Sequence, residues 1–132
     1  MTVGLHPIYL INKNFSLFIK FIYFKSVPEL FQEIRATFNT IGGGENEIIK
    51  KFINVKCLIL DDLGAEKTSD FTLDRLYLII DGRYSEERLT IITSNLSLDD
   101  IKDKIHDRLA SRISEMCRVV VLPNKDLRVE RG

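Results

Sequence analysis

The stretch CLILDDLG at residues 57–64 decides the fold, because a short apolar run that ends in two adjacent carboxylates is typical of a buried strand. Further along the chain, TIITSN at residues 90–95 is a second apolar run, and it ends in small polar residues and an amide. The carboxyl ends of parallel strands share one edge of a sheet, where ligands bind. We therefore expect Asp61, Asp62 and Asn95 to lie at the same edge.

These three residues suit the magnesium-facing half of an ATP site. There the first acid, Asp61, would orient Mg²⁺ through a coordinated water, and the second, Asp62, would polarise the water that attacks the γ-phosphate. The amide of Asn95 can both donate and accept, which suits placing a water between an acid and a phosphate oxygen. The alternative is that the two acids cap the following Leu63-Gly64 turn and that Asn95 is an ordinary turn residue.

The loop that normally holds the phosphates of ATP is missing from this sequence. The pattern G-x-x-x-x-G-K-[ST] occurs nowhere in the 132 residues. Three glycines at residues 42–44 follow a predicted helix rather than a strand, and no lysine and hydroxyl come after them, so we expect a flexible loop. ATP affinity and turnover should be severely impaired, and the sequence leaves open whether the chain is an enzyme.

Composition indicates one globular domain without a strong electrostatic preference for a partner. The net charge is zero, which gives no argument for nucleic acid or for a membrane surface. The apolar run at residues 15–24 is shorter than the ~20 residues of a membrane-spanning helix. Cys57 and Cys117 are expected to be reduced thiols of a cytoplasmic protein, and His6 and His106 are too far apart to suggest a zinc site.

Strand-like and helix-like segments alternate along the chain, which predicts an α/β fold with a largely parallel sheet. Ser26 and Glu29 form a capping-box signature at the first helix, and Thr68 or Ser69, and then Ser97, are candidate caps of later helices. The predicted strands are residues 22–24, 55–60, 89–93 and 118–122, and the predicted helices start at residues 26, 45, 69 and 97, the last continuing through Ile113.

Two arginines, Arg108 and Arg112, lie four residues apart and therefore share one face of the last helix. A guanidinium can bind a phosphate through two hydrogen bonds, and one that reaches a neighbouring subunit's site can act as an arginine finger. Alternatively both arginines are solvated and pair with Asp103, Asp107 or Glu115.

From about Phe21 to Arg128, the sequence resembles the AAA+ ATPases of the DnaC/DnaI helicase-loader and IstB transposition-helper group. The matching segments are SVPEL at 26–30, EIRATF at 33–38, LILDDLGAEK at 58–67, TIITSNLS at 90–97 and DRLASRI at 107–113. The resemblance implies a three-layer parallel sheet of P-loop NTPase type that is incomplete at its N-terminal strand and P-loop. Residues 1–20 would then be a divergent N-terminal segment, and residues 21–132 a partial AAA+ domain.

The resemblance also implies roles for individual residues. Asp61 and Asp62 take the Walker B positions, with Asp61 holding Mg²⁺ through water, and Asn95 takes the sensor 1 position. Arg108 takes the arginine-finger position, and Arg128 falls where the family places a sensor 2 arginine. The implied cofactors are ATP and Mg²⁺.

Members of this group form ATP-dependent oligomers, bind single-stranded DNA, and deliver a replicative helicase or assist a transposase. By resemblance we expect one of these roles, with no membrane partner. The alternatives are a non-enzymatic DNA- or partner-binding module that uses Arg108 and Arg112 in trans, and an unrelated metal-dependent hydrolase that uses Asp61 and Asp62.

In the family the sheet order is 5-1-4-3-2, so a missing first strand would leave a gap between residues 90–93 and 118–122. We expect residues 5–11, or part of residues 15–24, to fill this gap as a substitute strand. A truncated gene product is the simplest account of the missing segment.

Overall fold

The computed structural model describes residues 21–123, and these form a parallel three-stranded sheet with helices. The strand order is β1 (Ile22–Ser26), β2 (Cys57–Leu63) and β3 (Leu89–Ser94), with β2 in the centre. The α/β class and the parallel sheet are therefore confirmed. The helices are α1 (Val27–Ala36), α2 (Gly44–Asn54), α3 (Asp70–Ser85), α4 (Leu98–Asp100) and α5 (Asp107–Met116), with a π-helical segment at Ile101–Ile105.

Local capping signals in the sequence correctly place three helix starts, and at α4 the Ser97 hydroxyl accepts a hydrogen bond from the Asp100 N–H. The Ser26 hydroxyl accepts a hydrogen bond from the Glu29 N–H, and the Glu29 carboxylate accepts one from the Ser26 N–H, which together form the predicted capping box. At α3 the cap is Ser69, whose hydroxyl accepts from the Thr72 N–H. These contacts satisfy backbone donors that have no partner inside the helix.

Within residues 21–123, the core lies on one face of the sheet. Because side chains alternate along a strand, Tyr23, Leu58, Leu60 and Ile92 share a face, and all four belong to or pack against the core cluster with the helices. The opposite face consists of apolar side chains that are outside this cluster, and apart from Cys57, which is 4% exposed, they are exposed or half-buried. Its members are Ile22, Phe24, Cys57, Ile59, Leu89 and Ile91. The core cluster of the described residues thus joins the helices to one face of the sheet.

The helix predicted to run from Ser97 through Ile113 is in fact interrupted at His106. The backbone of His106 is extended, with φ −162° and ψ 117°, and its Nδ1 accepts a hydrogen bond from the Leu109 N–H at 3.1 Å. His106 therefore acts as the N-cap of α5, while its Nε2 lies 3.1 Å from the Asp74 carboxylate of α3. The predicted apolar stripe survives the break, since Ile101, Leu109 and Ile113 are all buried.

The prediction of a strand at residues 118–122 is wrong, because this segment is irregular and exposed. A strand needs a neighbour to satisfy its backbone groups, and in the described part of the chain the outer edge of β3 has none. The suggestion that part of residues 15–24 fills the gap beside β3 is also wrong for residues 22–24, which pair with β2 instead. Residues 5–11 lie outside the described residues.

A buried arginine joins the elements at the opposite, amino edge of the sheet. Arg83 of α3 is fully buried, and burial lowers the pKa of its guanidinium to about 10, so it stays charged at neutral pH. It donates to the carbonyls of Phe52, Ile53 and Val55 at 2.7, 3.1 and 2.7 Å. It also donates to the Leu89 carbonyl at 2.7 Å and to the Thr90 hydroxyl at 2.8 Å. One side chain thus connects the end of α2, the approach to β2 and the start of β3.

Close packing of α2 on α3 depends on Gly82, next to Arg83. A Cβ at this position would lie 2.6 Å from Cδ1 and 2.9 Å from Cγ1 of Ile53. The glycine therefore lets the end of α2 approach α3 closely enough for its last carbonyls to reach Arg83.

Replacing Arg83 with methionine should lower the free energy of unfolding by about 3 kcal/mol or more, because four buried or part-buried carbonyls would lose a charged donor. The control is Arg75→Met on the same helix, which removes a half-buried ion pair with Glu45 and a contact over the ring of Phe71 and should cost about 1 kcal/mol. Urea denaturation measures both losses, and equal losses would contradict the role given to Arg83.

Replacing His106 with alanine should lower the free energy of unfolding by about 1 kcal/mol through loss of the α5 cap. His106→Asn, which keeps a side-chain acceptor at the cap position, should recover most of that loss. If asparagine destabilises the protein as much as alanine does, capping is not what His106 contributes.

Candidate functional site

The two adjacent carboxylates lie in a β-bulge at the carboxyl end of β2. Leu60 pairs with Ile92 and Leu63 pairs with Ser94, so two residues of β2 stand opposite the single residue Thr93 of β3. The backbone at Asp62 is left-handed, with φ 66°, which is uncommon for a residue other than glycine. A bulge changes the direction in which side chains leave a strand, and here it lies between Asp61 and Leu63.

The hydroxyl of Thr93 fixes this bulge from the neighbouring strand. Thr93 Oγ1 accepts a hydrogen bond from the Asp62 N–H at 3.0 Å and donates one to Asp61 Oδ1 at 2.6 Å. Thr93 was not among the residues predicted from the sequence. A hydroxyl side chain at the end of a strand, just before Ser94 and Asn95, is the signal that could have identified it. Thr93 orients one carboxylate and holds the backbone of the other.

The two carboxylates have different surroundings. Both are half-buried, but Asp61 has one oxygen engaged by Thr93, whereas the Asp62 carboxylate has no hydrogen-bond or ion-pair partner among residues 21–123. Asp61 is therefore held in one orientation, and Asp62 remains available to a ligand or a water.

These acids fit a magnesium ion that is held largely by water and phosphate. Mg²⁺ commonly binds one or two carboxylates and completes its shell with waters and substrate phosphates. The described residues contain no group of three or more His, Cys, Asp or Glu side chains that could hold a metal ion.

The turn after the carboxylates is packed tightly against the loop after β3. Gly64 has φ 90°, which favours glycine, and a Cβ there would lie 2.5 Å from Leu96 Cδ1, so the Leu96 side chain would have to shift. The Ser94 hydroxyl donates to the Leu63 carbonyl at 2.6 Å and accepts from the Leu96 N–H at 3.0 Å. Together these contacts fix the two strand ends relative to each other.

Asn95 follows β3 directly at this same edge, and its side chain is exposed. Within the described residues no hydrogen bond joins Asn95 to Asp61 or Asp62. The structure thus brings the two acids and Thr93 into contact and leaves Asn95 beside them, open to solvent.

Arg108 and Arg112 differ in their surroundings on α5. Arg112 forms ion pairs with Asp81 at 2.8 Å and with Glu115 at 2.7 Å, so the pairing with Glu115 considered from the sequence is present. Arg108 is exposed and lies over the ring of Tyr77 at 4.4 Å, with no carboxylate partner in the part of the chain that is described. Of these two arginines, Arg108 is the one whose guanidinium has no carboxylate partner among residues 21–123.

The remaining sequence candidates add no phosphate cradle. Gly42 and Gly43 have φ 121° and 75° and form the turn that enters α2, as expected for a loop rather than a phosphate site. Arg128 lies outside the described residues. Cys57 and Cys117 are free, and burial raises the pKa of both thiols, which keeps them protonated and weakly reactive.

Comparison with known proteins identifies the family to which the chain belongs. The model of the IstB-like ATP binding protein family matches residues 19–131, and the chain belongs to this family. The crystal structure of the DnaC helicase loader superimposes with a TM-score of 0.62 and 30% identity, over 73% of this chain and 58% of that one. The crystal structure of DnaI gives a TM-score of 0.59 and 28% identity, over 72% of this chain and 54% of that one. The fold is therefore that of an AAA+ P-loop NTPase, as the resemblance implied.

Among curated proteins, the replicative helicase loader DnaC of Escherichia coli (strain K12) is 23% identical over 88 residues. The match covers 67% of this chain and 36% of DnaC, so the chain spans about a third of that relative's length. No helix among the described residues is long and apolar enough to cross a membrane.

Replacing Thr93 with valine should lower the free energy of unfolding by about 1–3 kcal/mol, because the Asp62 N–H and Asp61 Oδ1 both lose their partner. Thr93→Ser keeps the hydroxyl and is the matched control, with a much smaller loss expected. Thermal or urea unfolding of the two variants measures the difference, and equal losses would show that the methyl group rather than the hydroxyl matters.

Proposed function

We propose that this chain supplies the magnesium- and water-handling half of an ATP site in a protein of the helicase-loader type. Membership of an ATP-binding family and similarity to DnaC support the general assignment. The observation that carries the finer proposal is the bulge at Asp61 and Asp62, fixed by the hydroxyl of Thr93. It gives two adjacent carboxylates different surroundings, as two different roles require.

In this proposal Asp61 orients Mg²⁺ through a coordinated water, since Thr93 holds its carboxylate in place. Asp62, which has no partner within residues 21–123, polarises the water that attacks the γ-phosphate. Asn95 lies at the same edge of the sheet and acts as the sensor 1 residue. Its exposed amide can hold that water between an acid and a phosphate oxygen. ATP with Mg²⁺ would supply the phosphoryl group and the cation that these residues orient.

The phosphates themselves need a cradle that these 132 residues lack, because the sequence contains no G-x-x-x-x-G-K-[ST]. We therefore propose weak ATP binding and impaired hydrolysis by this chain alone. Arg128 is the proposed sensor 2 arginine on the nucleotide.

The proposed partner is a replicative helicase, on the strength of the DnaC relatives. A transposase is the alternative, since the matching family model is the IstB-like one. Single-stranded DNA, a homo-oligomer and a cytoplasmic location belong to the same proposal, with Arg112 as a contact to DNA or to a partner.

Equilibrium binding of MgATP to the chain tests the proposed site. Asp61→Asn keeps an oxygen that can accept from Thr93 but removes the charge, so binding in the presence of Mg²⁺ should weaken at least tenfold. Asp62→Asn should affect hydrolysis more than binding. Asp103→Asn, an exposed acid on the π-helical segment, is the control and should bind like the parent chain.

Two results would contradict the proposed role of Asp61 and Asp62 in binding MgATP. One is the absence of any binding at millimolar nucleotide, and the other is an equal effect of Asp61→Asn and Asp103→Asn. In either case the carboxylates would have a purely structural role.

A second candidate function is a non-enzymatic module that completes a neighbour's ATP site. The unpaired, exposed guanidinium of Arg108 over Tyr77 favours it, because an arginine finger acts in trans and needs no P-loop of its own. The chain should then accelerate ATP hydrolysis by a P-loop-containing helicase loader. Arg108→Lys should abolish this effect, and Arg118→Lys should not. No acceleration by the parent chain would exclude this function.

A further inference from the structure

One face of α3 contacts α5 through polar and aromatic side chains. These side chains follow each other at spacings of three and four residues, and they are Asp74, Tyr77, Asp81 and Tyr84. Asp74 contacts His106 at the start of α5, Tyr77 lies under Arg108, and Asp81 and Tyr84 contact Arg112. This face of α3 therefore determines where the two arginines of α5 lie.

Tyr77 is the residue of this face that contacts both arginines. The Arg108 guanidinium lies over its ring, 4.4 Å from the ring centre. A hydrogen bond with the Tyr77 hydroxyl raises the pKa of the Arg112 guanidinium, as the neighbouring carboxylates also do. The ring of His106 lies beside Tyr77, with the two ring centres 6.1 Å apart. Tyr77 is thus held at its hydroxyl and beside its ring, while Arg108 lies over the ring.

Support by an aromatic ring differs from support by a carboxylate. A guanidinium over a ring is attracted by the negative π face, and this contact uses none of its five N–H donors. A carboxylate partner accepts hydrogen bonds from those donors and neutralises the charge. Tyr77 can therefore hold Arg108 in position and leave both its charge and its donors available for a phosphate.

Arg112 provides the contrast on the same pair of helices. Its guanidinium lies over the ring of Tyr84 at 4.5 Å, close to the 4.4 Å of Arg108 over Tyr77. Two carboxylates, however, lie 2.8 and 2.7 Å from the Arg112 nitrogens and balance its charge. The two pairs of ring and arginine are alike in distance and differ in charge compensation, so Tyr84 is the matched control for Tyr77.

We propose that Tyr77 is the positioning residue for Arg108 and holds its guanidinium ready for the γ-phosphate of ATP in a neighbouring chain's site. The inference rests on the action of Arg108 in trans that is proposed above. An unsupported arginine side chain samples many rotamers, and those that point elsewhere reduce the fraction of time in which the guanidinium meets the phosphate. The ring of Tyr77 restricts this freedom before the two chains meet.

Acceleration of ATP hydrolysis by a P-loop-containing helicase loader tests this role. Tyr77→Leu keeps an apolar side chain on α3 but removes the ring. The stimulated rate at saturating concentrations of the chain should then fall at least tenfold, while the concentration that gives half of the maximal stimulation should hardly change. Tyr77→Phe keeps the ring and should retain most of the parent's stimulation. Tyr84→Leu should behave like the parent chain.

The outcomes separate this inference from the function on which it rests. No acceleration by the parent chain would overturn both. Equal acceleration by the parent chain and by Tyr77→Leu would overturn only the role of Tyr77. Equal losses in Tyr77→Leu and Tyr84→Leu, or a loss in Tyr77→Phe as large as in Tyr77→Leu, would overturn that role too.

Nuclear magnetic resonance of the parent chain tests the geometry even if Tyr77→Leu does not fold. Protons held over the face of an aromatic ring are shifted upfield by its ring current. The Arg108 Nε–H and δ-methylene signals should therefore lie upfield of those of Arg118, which is also exposed. Tyr77→Phe should preserve this shift. Arg108 signals that coincide with those of Arg118 in the parent chain would overturn the proposal.

Discussion

The guanidinium of Arg83 is the constraint on which the rest of this structure depends. It is a charged group with no exposure, and five hydrogen bonds to α2, the approach to β2 and the start of β3 compensate for its removal from water. Because these acceptors are fixed in space, Arg83 sets where β2 and β3 begin relative to each other. The register at the amino edge then determines which residues face each other at the carboxyl edge.

At that carboxyl edge the register has a chemical consequence. Since Leu60 lies opposite Ile92, the next residue of β3, Thr93, meets the Asp61 carboxylate and the Asp62 N–H of the bulge. The left-handed backbone of Asp62 costs of order 1–3 kcal/mol, and such conformations persist where the surrounding structure imposes them, frequently at functional sites. The Thr93 hydroxyl and the tight turn at Gly64 impose it here. A strained backbone and an acid without a partner at one strand end both support a functional role for Asp62.

Features that depend on neighbours in sequence could be predicted, and features that depend on distant contacts could not. The capping box of Ser26 and Glu29 and the strand that carries Asp61 and Asp62 near its carboxyl end are local patterns, so the sequence was sufficient. At the break, His106 contacts Asp74, which lies 32 residues away in sequence. The apolar stripe continues through the break, so the sequence pattern predicted one uninterrupted helix. The strand expected at residues 118–122 has strong β propensity but no neighbour among the described residues, and propensity alone does not satisfy backbone groups. Arg83 looked like any charged residue near a helix end, because nothing in its local sequence shows that five acceptors converge on it.

The same distinction holds at the candidate site. Asp61, Asp62 and Asn95 could be found because each ends an apolar strand, whereas Thr93 is a partner only through the pairing of β2 with β3. Likewise Arg108 and Arg112 look equivalent in the sequence, and only the fold shows that Asp81 and Glu115 neutralise Arg112 while Arg108 stays unpaired.

The most direct test of the central claim is to locate a nucleotide-bound metal on the folded chain. Mn²⁺ replaces Mg²⁺ on ATP and broadens the NMR signals of nearby amides through its unpaired electrons. If the account is correct, titration with MnATP broadens the amide signals of Asp61, Asp62 and Asn95 first. Broadening first at the exposed acids Asp99 and Asp103, or no selective broadening at all, would contradict it.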